Sequence, residues 1–305
     1  DRSKREEVWK KINERRYQEK ETLDTLFTTL IGLRHTAALN AGYKNFRDYM
    51  FTAMGRFDYT PDDCYAFHEA IKKEVVPILN TLAEDRKKSL KLDALKPWDL
   101  SVNYFGDTPL KPFKDADDLT EKTIQCFARL DSYTAQCIAT MKKIGHLDLM
   151  SRKGKAPGGY NYPLDETGVP FIFMNATQSL RDLVTMVHEG GHALHSFLTA
   201  DLELNVFKHP TSEVAELASM SMELMSMEHW DIFFADPKDL ARAKREHLES
   251  VLQTLPWVAT IDLFQHSIYQ KPTHTLIERE EIWKASFYPF SNNTTDWSGL
   301  EKYRV

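Results

Sequence analysis

The stretch Val187-His188-Glu189-Gly190-Gly191-His192-Ala193-Leu194-His195 has the residue types and the spacing for metal chemistry. Residues four apart on an α-helix lie on one side, one turn apart, so His188 and His192 can aim ring nitrogens at a common zinc ion at about 2.0–2.1 Å. Glu189, one position round, is then kept out of the ligand set but beside the water, where a general base belongs. H-E-x-x-H arises by chance in roughly a few per hundred chains of such composition, so the flanks must support it. They do: Leu183, Val187, Leu194, Phe197 and Leu198 form an apolar stripe at helical spacing, and Thr177 or Ser179 offers a start signal. Gly190 and Gly191 each cost about 1 kcal/mol in a helix interior relative to Ala, so they are expected to mark close approach by backbone or substrate.

Two histidines need a third protein ligand and an open position for water. The extended motif H-E-x-x-H-x-x-G-x-x-H fails here, because His195 and Leu198 stand where Gly and His are required. A glutamate from the next helix is the remaining common solution. That helix is expected to start at Thr211 or Ser212 and run towards Phe233, and Glu213, Glu216 and Glu223 all qualify by spacing. His195 and His209 are nearby decoys, and His195 reads as a pocket residue or a partner orienting a ligand ahead of a structural bystander. Met220, Met222, Met225 and Met227 read as core filler.

The elements that must position these groups are mostly helical. Helical patterns run from about residue 3 to 40, with Gly42 as a stop, and again from Phe46 to Met54. Thr60-Pro61-Asp62-Asp63 opens a helix towards Leu92 that Pro77 should kink. Residues 93–116, with Pro97, Gly106, Pro109 and Pro112, read as irregular, and a helix is expected from about Asp117 to Ile144. The loop Lys153-Gly154-Lys155-Ala156-Pro157-Gly158-Gly159-Tyr160 lacks the G-K-[ST] ending of a phosphate-binding loop, which excludes nucleotide binding there. Gly168 to Asn175 is the best strand, and Pro170 places it at a sheet edge. An extended peptide could add itself to such an edge, with Gly158, Gly159, Tyr160, Phe173, Asn175 and His195 as candidate substrate contacts. Pro237 starts a long helix to about Tyr269, interrupted at Pro256, and a shorter one spans Glu278 to Ala285.

Over 305 residues, 42% hydrophobic and 28% charged residues describe an ordinary globular chain. The net charge of −6, with basic residues interspersed among acids, argues against nucleic acid as a partner. No apolar run approaches the roughly 20 residues needed to span a bilayer. Cys64, Cys126 and Cys137 are odd in number and at no metal spacing, which with the charged start favours a reducing cytoplasm.

Lys155-Ala156-Pro157-Gly158-Gly159, Pro170-Phe171-Ile172-Phe173-Met174-Asn175, the H-E-x-x-H helix and Ser212-Glu213-Val214-Ala215-Glu216-Leu217-Ala218-Ser219 together resemble the thimet oligopeptidase and oligoendopeptidase F family of zinc metallopeptidases, closer to its bacterial oligoendopeptidase F branch. The resemblance implies a mainly α fold with a small edge β-sheet next to the H-E-x-x-H helix, lining a deep cleft. Residues 1–145 would form a helical wall and 146–305 the zinc-binding region. It implies one zinc per chain on His188, His192 and Glu216, with Glu189 as the base and short peptides as substrates. Ser219 matches the serine that follows the family's third ligand, and with Glu223 it is expected to orient the ligands. Two alternatives in function stand beside this, a zinc hydrolase of non-peptide amides and a peptide-binding fragment. The family continues with a histidine and paired tyrosines where this chain ends at Trp297 to Val305, and its amino-terminal lobe is not matched. A fragment or short form is therefore expected, hydrolysing slowly unless Tyr160 or Tyr162 supplies a replacement donor.

Overall fold

The computed structural model describes residues 1–104 and 108–304; Gly106, read from sequence as part of an irregular segment, lies outside the described residues. These residues fall into two compact units, one comprising 1–107 with 249–305 and the other 108–248.

Among the described residues, the named elements of the first unit are all helices. The single helix expected over 3–40 is two, α1 (Arg2–Tyr17) and α2 (Lys20–Asn40), and Gly42 follows at φ +83° as the expected stop. After α3 (Phe46–Ala53), α4 (Pro61–Ala70) opens on a capping box in which the Asp63 carboxylate accepts from the Thr60 N–H and hydroxyl. Instead of a sharp kink at Pro77, a π turn at Ile71–Val75 joins α4 to α5 (Val76–Ser89). The wider turn makes room for a proline ring whose nitrogen cannot donate to the preceding turn.

The second unit carries the sheet and the H-E-x-x-H helix. The helix expected over 117–144 is broken into α6 (Ala116–Leu130) and α7 (Ser132–Lys143). Asp131 is extended at the junction, and its carboxylate accepts from the Tyr133 N–H, so one residue ends α6 and caps α7. Strands β1 (Leu147–Met150), β2 (Tyr160–Tyr162) and β3 (Phe171–Ala176) form a three-stranded sheet in the order β1-β3-β2. The strand read as an edge is therefore the central one. β3 pairs in parallel with β1 (Leu147 opposite Ile172) and antiparallel with β2 (Tyr160 opposite Phe173), while Pro170 sits just before it, where no ladder bond is lost. The short flanking strands carried too few residues to register as β patterns.

Helix α8 (Leu180–Leu198) starts at a capping box between Ser179 and Asp182, and α9 (Ser212–Ser226) starts at Thr211. Leu183, Met186, Val187, Ala193 and Leu194 of α8 enter one core with Phe127 and Ile138 of the α6–α7 pair, Ile172 and Met174 of β3, and Met222 of α9. Of the methionines expected to fill the core, Met222 is buried, but Met220 and Met225 are 47% and 54% exposed. Helix α10 (Pro237–Gln270) runs unbroken through Pro256, and α11 (Leu276–Phe287) opens on a capping box between Thr275 and Glu278.

Candidate metal centre

His188 and His192 stand one turn apart on α8, their ring centroids 4.9 Å apart and their planes nearly perpendicular. The Glu216 carboxylate on α9 faces both rings: Oε2 is 3.4 Å from His188 Nε2 and Oε1 is 3.7 Å from His192 Nε2. Bonds of about 2.0–2.2 Å around tetrahedral zinc place ligand atoms about 3.3–3.5 Å apart, so this donor set has the chemistry and nearly the span for such an ion. Of the three glutamates that spacing left open, Glu216 faces the rings, and Glu223 lies behind one of them. Glu223 Oε1 is 2.6 Å from His188 Nδ1; accepting there leaves the His188 lone pair at Nε2, on the Glu216 side.

Ser219, one turn after Glu216, contacts it at 3.0 Å to the carbonyl and 3.2 Å to Oε2. The two glycines of α8 have separate reasons. A Cβ on Gly191 would lie 2.7 Å from Ser219 Cα and 2.8 Å from the Ala218 carbonyl oxygen, so Gly191 is where α8 and α9 touch backbone to backbone. A Cβ on Gly190 would lie 2.9 Å from the tip of the Phe127 ring. Both are approaches by protein atoms.

Glu189 is 6% exposed, and its Oε2 is buried without a hydrogen-bond partner. Burial pushes its carboxyl above the usual range, with the charge of His188 and the Asn161 backbone N–H pulling the other way. Burial would lower His188, but the hydrogen bond and charge of Glu223, with Glu189 and Glu216, outweigh it and raise the imidazole; His192 is lowered by burial and by its neighbour His188, which outweigh the Glu216 charge and the Ala215 backbone.

The sequence profile of Peptidase family M3 matches residues 1–289. The chain belongs to Peptidase family M3. It is 26% identical over 249 residues to oligopeptidase PepF of Bacillus subtilis, an alignment covering 81% of this chain and 36% of that protein. Against group B oligopeptidase PepB of Streptococcus agalactiae it is 25% identical over 263 residues, 82% of this chain and 43% of the relative. The solved structure of PZ peptidase A with inhibitor 2 superposes with a TM-score of 0.86 at 30% identity, covering 94% of this chain and 50% of that one. This M3 chain thus spans between about a third and a half of the length of these relatives.

Around the centre of this M3 chain, the expected substrate contacts separate into two groups. Asn175 Nδ2 is spent on the carbonyls of Ala156 and Gly158, at 2.7 and 2.9 Å, and so shapes the glycine-rich loop. Phe173 is sandwiched between Tyr160, stacked at 5.0 Å, and the Lys155 ammonium, 4.4 Å from its ring centre. Gly159 approaches the base: a Cβ there would lie 3.3 Å from the Thr185 methyl and 3.8 Å from Glu189 Oε1. Tyr160 and Tyr162 are 48% and 60% exposed. His195 is half-buried one turn beyond His192 and reaches it only through charge, while His209 pairs with Asp165 at 3.2 Å, apart from the metal group.

Two contributors escaped sequence reasoning. The buried Lys155 ammonium donates to the Asp148 and Met150 carbonyls and to the Asp148 carboxylate at 2.9–3.0 Å, pinning the loop to β1. His247 on α10 is 3% exposed, with Nε2 3.4 Å from the second Glu223 oxygen but outside hydrogen-bonding geometry, and burial lowers its pKa, so it backs Glu223 by packing. Lys155 opens the Lys155-Ala156-Pro157-Gly158-Gly159 stretch, which marks the loop but not what the ammonium holds, and a lone helical histidine such as His247 is too common to single out.

Proposed function

We propose that this chain carries the centre of a zinc-dependent oligopeptidase that hydrolyses peptide bonds in short peptides. The observation supporting this most directly is the three-donor set of His188, His192 and Glu216, whose ligand atoms lie within 4.8 Å of one another, with the unpartnered Glu189 oxygen beside it. His188, His192 and Glu216 would hold the ion. When bound, zinc supplies Lewis acidity, lowering the pKa of a coordinated water towards about 7 and polarising the scissile carbonyl.

The chain's own residues do the rest. Glu189, its proton affinity raised by burial, takes a proton from the attacking water and delivers it to the departing amine, so it acts first as base and then as acid. Glu223 keeps His188 in one tautomer and orientation, and Ser219 steadies Glu216. With β3 paired on both sides, β1 and β2 are the edge strands, and of the two β2 (Tyr160–Tyr162) directly follows Gly159, which approaches Glu189, so an extended peptide would add there. Gly158, Gly159 and Tyr160 then contact substrate, while Phe173 and Asn175 support them from beneath.

The test measures zinc content and cleavage of a quenched fluorescent peptide in the wild-type protein and in Glu189→Gln. Retained zinc with turnover reduced by orders of magnitude supports the assignment. Undiminished cleavage by the variant removes Glu189 from the chemistry, and a wild-type protein that binds no zinc removes the centre.

A further inference from the structure

We propose a second divalent-cation site, of the zinc class, in the first unit, formed by Cys64 of α4 with Asp262 and His266 of α10 and braced by His68. Cys64 and His68 are four apart on α4, and Asp262 and His266 are four apart on α10, so each helix presents a pair of donors one turn apart. The two pairs converge. One ligand atom from each of Cys64, Asp262 and His266 lies within 4.8 Å of the others, an arrangement matched among the described residues only by the His188 centre. His68 Nε2 lies 2.8 Å from Asp262 Oδ2, and the rings of His68 and His266 are 6.1 Å apart.

Buried polar groups left without partners call for an explanation, and this cluster holds three. His68 and His266 are 3% and 2% exposed; His68 Nδ1 and both ring nitrogens of His266 have no hydrogen-bond partner. His266 Nε2 comes within 3.2 Å of Asp262 Oδ2, near enough to feel its charge but off the line a hydrogen bond requires. A neutral imidazole has a donor and a lone pair, and His266 uses neither on protein. An ion would take the lone pair, with the Asp262 carboxylate and the Cys64 sulfur completing a three-donor face. Phe51 and Tyr65, with ring centres 6.0 and 5.0 Å from His266, wall the position with aromatic carbon.

The donor set selects the ion. Sulfur, nitrogen and one carboxylate suit zinc and its neighbours in the first transition row, whereas magnesium and calcium require oxygen. Binding releases the Cys64 proton to solvent and changes no oxidation state. His68, donating to Asp262, is a positioning residue that aims the carboxylate, as partners of metal ligands commonly do. The proposal uses no residue of the His188 centre and raises the expected content from one ion per chain to two.

Cobalt(II) separates the two sites, because a thiolate ligand gives cobalt a near-ultraviolet charge-transfer band that a site of nitrogen and oxygen does not. Zinc-free protein is titrated with cobalt(II) and then with competing zinc. The expected result is two equivalents bound, with a thiolate band saturating at one equivalent. That band is lost in Cys64→Ser, weakened at least about tenfold in apparent affinity in His266→Asn, and kept in both Cys126→Ser and the His188→Ala, His192→Ala double variant. Far-ultraviolet circular dichroism verifies folding, and if Cys64→Ser does not fold, His266→Asn and the wild-type titration decide. No thiolate band in the wild-type protein, or a band that survives in folded Cys64→Ser, overturns the proposal.

Discussion

Replacing Gly191 by alanine tests whether the contact between α8 and α9 sets the metal geometry. The new Cβ would start 2.7 Å from Ser219 Cα and 2.8 Å from the Ala218 carbonyl oxygen, whereas ordinary contact begins at 3.4 Å, so the backbones must part by about 0.7 Å. Neither obstacle is a flexible side chain that can swing aside. Glu216 lies one turn before Ser219 on the retreating helix, so its distances to His188 and His192, now 3.4 and 3.7 Å, should open to roughly 4.1 and 4.4 Å. Metal–ligand bonds tolerate only about 0.2 Å, and displaced ligands or their supports typically cost 10–100-fold in affinity, or about 1.4–2.7 kcal/mol. Stability of the metal-free protein should change less: overpacking costs about 1–3 kcal/mol, and the helix preference of Ala over Gly returns about 1 kcal/mol. The assay is zinc affinity by competition with a chromogenic chelator, beside denaturant unfolding of the metal-free protein. Gly190→Ala is the comparison. Its Cβ would meet the Phe127 ring at 2.9 Å inside the apolar core, so it should lose stability with little change in zinc affinity. A folded Gly191→Ala protein with unchanged zinc affinity, or one indistinguishable from Gly190→Ala, would refute the reasoning.

Glu223→Gln should keep the fold and lower zinc affinity about 10–100-fold, because the amide can present its N–H₂ to His188 Nδ1 and release the tautomer that the 2.6 Å contact imposes; unchanged affinity in the same competition assay would mean that Glu223 does not orient the ligand. A pH effect is expected at the loop anchor, where the Arg152 side-chain hydrogen bond, joined by Lys155, holds the Asp148 carboxyl down at about 2. A carboxyl depressed in the folded state stabilises above its ordinary pKa near 4 and loses that contribution as pH falls through about 2. Wild type should therefore lose on the order of 1 kcal/mol more than Asp148→Asn between pH 5 and pH 2, a figure discounted because Arg152 is 60% exposed. Parallel unfolding curves for the two proteins across that range would sink this assignment.

Local features were legible because their physics is local. The four-residue interval puts His188 and His192 on one face whatever else the chain does, and the capping residues Thr60 and Ser179 start helices through bonds within a few positions. The costs of Gly190 and Gly191 likewise announced that something comes close, although only the packed structure identifies Phe127 for one and the backbone of α9 for the other. Period and capping are silent on what faces what across space. Glu213, Glu216 and Glu223 were equivalent by spacing, and the selection of Glu216 came from family resemblance; in the structure, the rotation of α9 against α8 brings Glu216 in front of the imidazoles and sends Glu223 behind His188. Pro170 suggested an edge, but β1 and β2, too short to show a pattern of their own, make β3 the centre of the sheet. Cys64 had no metal spacing along the chain, since its proposed companions Asp262 and His266 belong to another helix far away in sequence. The sequence determined which side chains a helix turn presents together, and the tertiary structure alone decided which turns meet, because long-range packing leaves no periodic trace in the chain.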